Sequence, residues 1–300
     1  MFKYTRLMYI VYTHEHDGTP KHYYQRILKA KAGNGGQKME TTRTFSTGVK
    51  TLDKLLGGGL YIGENVVLEV ESGTFAREFH YAFMKQGIMD RNQIIYLDFM
   101  YPPQALMLQL TPLVKTFPPG WEDKFLVLDC FSESSGQGEL IFNDFYDTAP
   151  SWMRKVPTSK DPEQFHKFFG RIEREFVTPS ARLVFNSLSM MQHIWGSEAV
   201  KEFFGHVCPA LYAYKTLAYW TIVRDAHPKE FCAIIEHITQ VVVSLSREGG
   251  KRFVEVKKAG WRYNPQSYQR YEYSVQGFDI KILPKARSET ANTVGKVAPS

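Results

Sequence analysis

The strongest constraint on the fold of this chain is the alternation of short apolar runs with helical stretches between residues 66 and 223. The apolar runs have the length and composition of buried strands. The predicted strands are residues 66–70, 94–99, 125–130, 181–185 and 217–223. The predicted helices are residues 75–88, 103–117, 161–176 and 197–214. Alternating strands and helices predict a central, mainly parallel sheet with helices on its faces.

The pattern changes after residue 234, where strand-like runs follow one another at 240–246, 252–257 and 268–275. This succession predicts an antiparallel β extension of the parallel sheet. The fold class is therefore α/β, with a C-terminal antiparallel extension, and ligands of such sheets bind at the carboxyl ends of the strands. Residues 131–160, which contain many Ser, Gly and Pro, are predicted to be a long connection at the surface or facing a partner.

The two ends of the chain carry its positive charge. The whole chain has a formal charge of +6, of which residues 1–38 contribute +5 and residues 281–300 contribute +3, so that residues 39–280 carry −2. Nucleic-acid binding by the folded body is therefore not expected. Residues 1–38 are predicted to be a disordered arm or an extension absent from the native product, residues 39–283 one domain, and residues 284–300 a flexible tail.

Composition also bears on where the protein works. No apolar run approaches the roughly 20 residues that a membrane-spanning helix needs. The three cysteines, Cys130, Cys208 and Cys232, are far apart and outside any C-x-x-C spacing, so we expect free thiols rather than disulfides or a zinc site. These features predict a cytoplasmic protein without membrane contact.

Residues 47–63 carry a specific motif, TGVKTLDKLLGGGLYIG, immediately before the first predicted strand. The order of TG, LD, LLGGGL and a further glycine resembles the RecA superfamily, in particular its archaeal RadA and KaiC-like branch. The similarity resumes in four short segments: 96–99, 182–189, 257–260 and 277–280. It spans residues 44–282 and implies a RecA-like P-loop NTPase fold.

In that family the strand leads into an ATP-binding loop, G-x-x-x-x-G-K-[ST], whose amides, lysine and hydroxyl hold the phosphates and Mg²⁺. The positions that the resemblance aligns with this loop are Val70, Glu71, Ser72, Gly73, Thr74, Phe75, Ala76 and Arg77. Val70 and Phe75 replace the glycines, Ala76 the lysine and Arg77 the hydroxyl. We expect that Phe75 cannot easily adopt a positive φ and that it blocks close approach of a phosphate. Glu71 adds a negative charge where the triphosphate would lie.

The resemblance points to further losses. It aligns the Walker B aspartate with Asn186, the catalytic glutamate pair with Met100 and Tyr101, and the subunit-interface K-x-R element with residues 257–259, where Lys257 persists without the arginine. Charge-assisted hydrogen bonds contribute about 1.5–3 kcal/mol each, so losing two or three weakens a micromolar site to millimolar or beyond. We therefore expect no hydrolysis, no catalytic residue, no metal, and ATP binding that is lost or weak.

Three sets of residues allow more than one interpretation. Arg77 either swings back to replace the missing lysine, which would preserve weak nucleotide binding, or it is a surface cation or the salt-bridge partner of a nearby acid. Asp98 ends a predicted strand, where an active-site role and a capping role are both possible. The histidines at positions 193, 206, 227 and 237 have neither triad nor metal-ligand spacing, and are predicted to fill core or surface positions.

The predicted function is a catalytically inactive homologue of the family. Relatives in this branch form rings or pair with paralogues, so the expected partner is an active KaiC/RecA-like paralogue or a second copy of the chain. This predicts a regulatory or scaffold role, either in signal transduction or together with that paralogue. The alternative is an ATP-binding RecA/RadA-type protein of DNA recombination or repair with a rearranged site, and a third possibility is nucleic-acid binding through the basic ends.

Overall fold

The computed structural model describes residues 43–135, 138–260, 262 and 268–283, with the side chains of 138–141 excepted. All of them belong to one compact unit, Arg43–Ser300. The N-terminal arm and the C-terminal tail predicted from the sequence lie outside the described residues, so they stay predictions.

A ten-stranded sheet forms the centre of the described unit. Its strand order is β12-β11-β10-β9-β3-β8-β7-β4-β5-β6. The seven strands that pair in parallel are β3 (Asn65–Val70), β4 (Ile94–Asp98), β5 (Phe125–Asp129), β6 (Met153–Lys155), β7 (Arg182–Asn186), β8 (Leu217–Val223) and β9 (Val241–Glu248). The antiparallel extension consists of β10 (Lys251–Ala259), β11 (Arg270–Gln276) and β12 (Asp279–Ile282). Two short strands, β1 (Thr44–Phe45) and β2 (Leu60–Tyr61), form a separate ribbon.

Nine α-helices are described. They are α1 (Lys50–Leu55), α2 (Ala76–Met89), α3 (Pro103–Val114), α4 (Phe131–Ser134), α5 (Gly138–Tyr146), α6 (Pro162–Phe176), α7 (Leu188–Trp195), α8 (Ser197–Ala213) and α9 (Lys229–Ile238). A 3₁₀ turn spans Glu122–Lys124. No described helix has both the length and the apolar composition required to cross a membrane.

The sheet is buried on both faces, which explains why its strands appear in the sequence as continuous apolar runs. On one face α2 and α3 pack against it, with the rings of Phe83 and Tyr219 stacked at 4.1 Å. On the other face α6 to α9 pack, with Phe185 and Trp220 stacked at 3.6 Å. Every residue of β3 is buried, so the strand that leads into the predicted site lies at the centre of the core.

The TG and LD elements of the sequence motif fold into a hydrogen-bonded turn ahead of β3. Asp53 Oδ1 accepts from the amide of Thr47 at 2.7 Å and from its hydroxyl at 2.6 Å. Gly48 has φ 85°, and a Cβ there would lie 2.1 Å from the carbonyl oxygen of Ala82 in α2. Only glycine permits this contact, so the motif positions α2 beside the turn.

The predicted α/β class, with its mainly parallel sheet and antiparallel extension, is confirmed. The prediction of a long connection over residues 131–160 is wrong, because α4, α5 and the edge strand β6 lie there. Asp129 explains the first of these helices: its Oδ1 accepts from the amides of Phe131 and Ser132 at 2.9 and 3.0 Å. The hydroxyl of Tyr146 also donates to Asp129, which ties the end of α5 to β5.

Candidate functional site

The residues aligned with the ATP-binding loop form the end of β3, a five-residue loop and the start of α2. Strand β3 ends at Val70 and α2 begins at Ala76. The loop, Glu71–Phe75, folds back on itself, because the amide and hydroxyl of Thr74 donate to the Glu71 carbonyl at 3.3 and 2.8 Å. The predicted residues of this segment are therefore brought together at the carboxyl end of a central strand.

The carboxylate of Glu71 is bound within the chain. Arg224, which follows β8, donates from Nη1 to Glu71 Oε1 at 3.0 Å, and the amide of Arg247 in β9 donates to Oε2 at 2.7 Å. Both carboxylate oxygens thus have partners from neighbouring strands. The negative charge expected at this position is real, and the chain's own groups compensate it.

Side chains of the antiparallel extension bind the carbonyl oxygens of the loop. Arg252 Nε donates to the Gly73 carbonyl at 3.0 Å, and the Tyr273 hydroxyl donates to the Thr74 carbonyl. The Arg247 side chain lies against Gly73, where an added Cβ would be 2.5 Å from Arg247 Nη1. Strands β9, β10 and β11 therefore hold the loop in place from one side.

Phe75 contradicts one expectation. It adopts φ 57° and ψ 44°, the left-handed conformation that was not expected of an aromatic residue. Its ring points out of the loop, 44% exposed, with the Arg252 guanidinium carbon 4.1 Å from the ring centroid. A left-handed non-glycine residue costs roughly 1–2 kcal/mol. The bonds from Arg252 and Tyr273 to the two preceding carbonyls fix the backbone that imposes this conformation.

Arg77 is the partner of an acid, as one of the two open alternatives predicted. Its Nη2 donates to Glu78 Oε1 at 3.0 Å, and its guanidinium lies 5.6 Å from the centroid of the Tyr81 ring. In this arrangement the cation points along α2, toward Glu78 and Tyr81. The first turn of α2 therefore begins with Ala76, Arg77 and Glu78.

A second polar cluster, which we call the buried network, joins the other predicted positions. It consists of Asp98, Asn186, Tyr96, His80 and Thr221. Asp98 and Asn186 are Cα partners in the β4–β7 register. Asn186 Nδ2 donates to Asp98 Oδ2 at 2.7 Å and to the Tyr96 hydroxyl oxygen at 3.1 Å. Tyr96 in turn donates to Asp98 Oδ2 at 2.9 Å.

Met100 and Tyr101, which the sequence resemblance aligned with a pair of glutamates, reach the buried network through their backbone amides. Their amides donate to Asp98 Oδ1 at 2.9 and 2.8 Å, which is a turn-capping arrangement. The capping role considered for Asp98 is therefore confirmed. A carboxylate does lie beside Asn186, but it is completely buried and its oxygens are bonded to protein groups.

Burial controls the protonation of the buried network. Loss of hydration raises the pKa of Asp98 to about 6, although the hydrogen bonds from Asn186, Tyr101 and Met100 oppose the shift. Burial lowers the pKa of His80 to about 3, so its imidazole is neutral. His80 Nε2 lies 2.7 Å from the Thr221 hydroxyl, and its ring centroid lies 6.3 Å from that of Tyr96.

Lys257 pairs within the chain. Its Nζ lies 2.6 Å from Oε2 of Glu69, a residue of β3 that is 7% exposed. The pKa of Glu236 in α9 is raised by burial and by a hydrogen bond with the same Glu69. The role of Lys257 at a subunit interface stays a prediction.

Sequence reasoning missed several residues. Arg224, Arg247 and Arg252 bind the loop from strands far away in the sequence. Ser189 Oγ accepts from the Val223 amide at 2.8 Å and lies 2.7 Å from His227 Nε2. This serine–histidine pair has no acid among the described residues, because His227 Nδ1 is buried without a partner. Spacing gives no signal for it, since 38 residues separate the two side chains.

Metal-binding groups are absent from the part of the chain that is described: no three His, Cys, Asp or Glu side chains converge there. The three cysteines are free, and Cys130 and Cys208 are buried. What the two clusters offer chemically is hydrogen bonding and charge.

Comparison with known proteins identifies the fold of the chain. The sequence model of the family described as PAXNEB protein matches residues 37–120. The crystal structure of a KaiC-like protein from the hyperthermophilic archaeon Pyrococcus horikoshii OT3 is similar, with a TM-score of 0.57 and 17% sequence identity, over 81% of this chain and 100% of that one. No curated protein matches. The chain has a RecA/KaiC-like fold.

Proposed function

We propose that this chain does not hydrolyse ATP and that it acts by binding protein partners, as a regulatory or scaffold subunit in the cytoplasm. The observation that carries the proposal is the state of the loop after β3. The Glu71 carboxylate is held by Arg224 and by the Arg247 amide, and Arg252 and Tyr273 hold the loop carbonyls. Groups that would have to reorganise around a triphosphate are already bonded to one another.

Mg-ATP fits these residues poorly. A phosphate cradle needs free space at the glycine of the loop, and the Arg247 side chain fills the space beside Gly73. The first turn of α2 supplies neither a lysine nor a hydroxyl. Asp98, the carboxylate closest to the Walker B position, is buried and fully engaged. These features support the proposed loss of nucleotide chemistry.

A partner-binding role would explain why the fold and its core are preserved. The fold is intact and its core is continuous on both faces of the sheet, while the site has lost its reactive groups. Such a subunit contributes surface and shape to an assembly. We propose a KaiC/RecA-like paralogue or a second copy of the chain as the partner, with signal transduction as the setting.

The test is a direct measurement on the full purified chain. We expect no ATP hydrolysis above blank, with or without single-stranded DNA, and no saturable binding of Mg-ATP at micromolar concentration. A DNA-stimulated rate in the unmodified chain would overturn the proposal and support the alternative, an ATP-dependent recombination or repair protein.

A further inference from the structure

The loop after β3 lies beneath a surface with unbalanced charge. We call this surface the arginine face and define it by Phe75, Arg224, Arg247 and Arg252, which meet at the Glu71–Phe75 loop. Arg224 is neutralised by Glu71 at 3.0 Å. Neither Arg247 nor Arg252 has an acidic partner among the described residues. Two unit charges on this surface are therefore uncompensated.

The two uncompensated arginines are direct neighbours. Arg247 and Arg252 are Cα partners across β9 and β10, and their side chains share one face of the sheet. Like charges at directly opposed positions repel and destabilise a strand pair. A negative group placed between the two guanidiniums would remove that repulsion, so the geometry favours an acidic ligand.

Two nearby cations of the extension, Lys251 and Arg270, differ from Arg247 and Arg252 because each has an acidic partner. Lys251 Nζ lies 2.8 Å from Glu272, and Arg270 pairs with Glu248. Arg270 also stacks on Phe253, 3.9 Å from its ring centroid. Lys251 and Arg270 therefore have acidic partners, whereas Arg247 and Arg252 have none in the described part of the chain.

An exposed aromatic ring adjoins the unpaired arginines. Phe75 is 44% exposed while one side of its ring contacts Arg252. Arginine and aromatic side chains are the residue types enriched at the centres of protein interfaces. A ligand with carboxylates beside an apolar side chain would satisfy both features at once.

We propose that the arginine face is a docking surface for an acidic segment of a protein partner, with carboxylates between Arg247 and Arg252 and an apolar side chain on Phe75. This inference rests on the proposed partner-binding role and specifies the chemistry of the partner. A free polyphosphate fits less well, because the Arg247 side chain lies against Gly73 and the Glu71 carboxylate, bonded to the Arg247 amide, adds a negative charge there. RNA would need a longer track of free cations than this hairpin offers.

The experiment uses the full chain and a fluorescein-labelled 12-residue peptide that contains Glu and Leu in equal numbers. Fluorescence anisotropy in 50 mM NaCl is expected to give a Kd on the order of 10–100 µM. The matching peptide with Gln in place of Glu should bind at least about tenfold more weakly, since the carboxylates supply charge-assisted hydrogen bonds. Failure of the Glu peptide to bind, or equal binding of the Gln peptide, would overturn the proposal.

Two double variants that remove the same charge separate the arginine face from general electrostatics. Arg247→Ala with Arg252→Ala should weaken binding of the Glu peptide about tenfold or more, and Lys251→Ala with Arg270→Ala less than about threefold. Circular dichroism verifies that both variants fold. Equal losses in the two variants would contradict the proposal. So would tighter binding of tripolyphosphate or of a 20-nucleotide RNA, if the Arg247/Arg252 variant abolished it.

Measurement of ATP hydrolysis in the same preparations distinguishes the two hypotheses. Hydrolysis by the unmodified chain would overturn the proposed function, whatever the peptide result. Absence of hydrolysis together with a failed peptide experiment would overturn only the assignment of the arginine face.

Discussion

The loop after β3 and the buried network lie at the same end of the sheet, but their ionisable groups differ in exposure to water. In the loop, the side chains of Glu71 and Arg224 form an ion pair and are each about 30% exposed, so water reaches both groups. In the buried network, Asp98 and His80 are removed from water, and burial shifts both pKa values toward the neutral forms. A change of charge should therefore be tolerated in the loop and be costly in the network.

The largest effect is expected for Asn186→Asp. It places a second carboxylate beside Asp98 and removes the amide that donates to Asp98 and Tyr96. We expect the free energy of unfolding at pH 7.5 to fall by about 3 kcal/mol, because a buried donor is lost and two buried acids repel. Urea denaturation measures this change.

Ser72→Asp is the matched control in the loop. Ser72 is exposed, so the added charge stays hydrated and the expected change in unfolding free energy is within about 0.5 kcal/mol. The loss from Asn186→Asp should also shrink toward pH 5, where the acid pair can retain a proton. Similar losses of unfolding free energy in the two variants would show that the loop and the buried network do not differ in their tolerance of an added charge.

The pH dependence of stability sharpens the same comparison. The folded pKa of His80, about 3, lies below its ordinary value of 6.5, so its contribution is complete above 6.5 and is lost as pH falls toward 3. The folded pKa of Asp98, about 6, lies above its ordinary value of 3.8, so its contribution is complete below 3.8 and is lost as pH rises through 6. Between pH 4 and 6 the two slopes oppose each other.

Single substitutions should expose each slope. The Asp98→Asn variant lacks the titration of Asp98. Its free energy of unfolding should therefore fall more steeply on acidification than that of the unmodified chain, by up to about 1.4 kcal/mol per pH unit. His80→Gln should change the slope by a similar amount in the opposite direction. Urea denaturation at half-unit steps from pH 4.5 to 6 gives both slopes. Identical slopes in all three proteins would show that the network is hydrated.

Substitutions of Phe75 should have a smaller effect, and they test whether the loop imposes its left-handed conformation. Phe75→Ala removes the contact with Arg252 but keeps a Cβ in the left-handed conformation, whereas Phe75→Gly removes the strain as well. We expect the Gly variant to be more stable than the Ala variant by about 1 kcal/mol. Thermal unfolding of the pair decides it. A more stable Ala variant, as is usual within helices, would show that the loop does not hold this conformation.

The regular part of the fold could be predicted from the sequence because its signals are local. Strand β3 is a continuous apolar run, and Asp161 before Pro162 begins α6 as an N-cap that accepts from the amides of Glu163 and Gln164. Two of the three elements within residues 131–160 could not be predicted, because α4 is a single turn fixed by Asp129 and β6 has only three residues. Neither is long enough to establish a hydrophobic period.

The site was predictable in position but not in its contacts. The motif before β3 located Val70 to Arg77, and the structure places them at the carboxyl end of a central strand. Arg224 and Arg247 lie more than 150 residues from Glu71 in the sequence, so only the strand order brings them to it. The conformation of Phe75 was predicted wrongly, because tertiary bonds to the preceding carbonyls outweigh the intrinsic preference of an aromatic residue.

The smallest effect should come from the ion pair in the loop. Glu71→Gln keeps an oxygen that can accept from the Arg247 amide but removes the charge that faces Arg224. A partly exposed pair contributes at most about 1 kcal/mol, so we expect a loss near 0.5 kcal/mol in 50 mM NaCl and none in 0.5 M NaCl, where salt screens the attraction. Thermal unfolding at both salt concentrations tests this. A loss that persisted in high salt would mean that Glu71 is as isolated from water as Asp98, and the contrast between the two regions would fail.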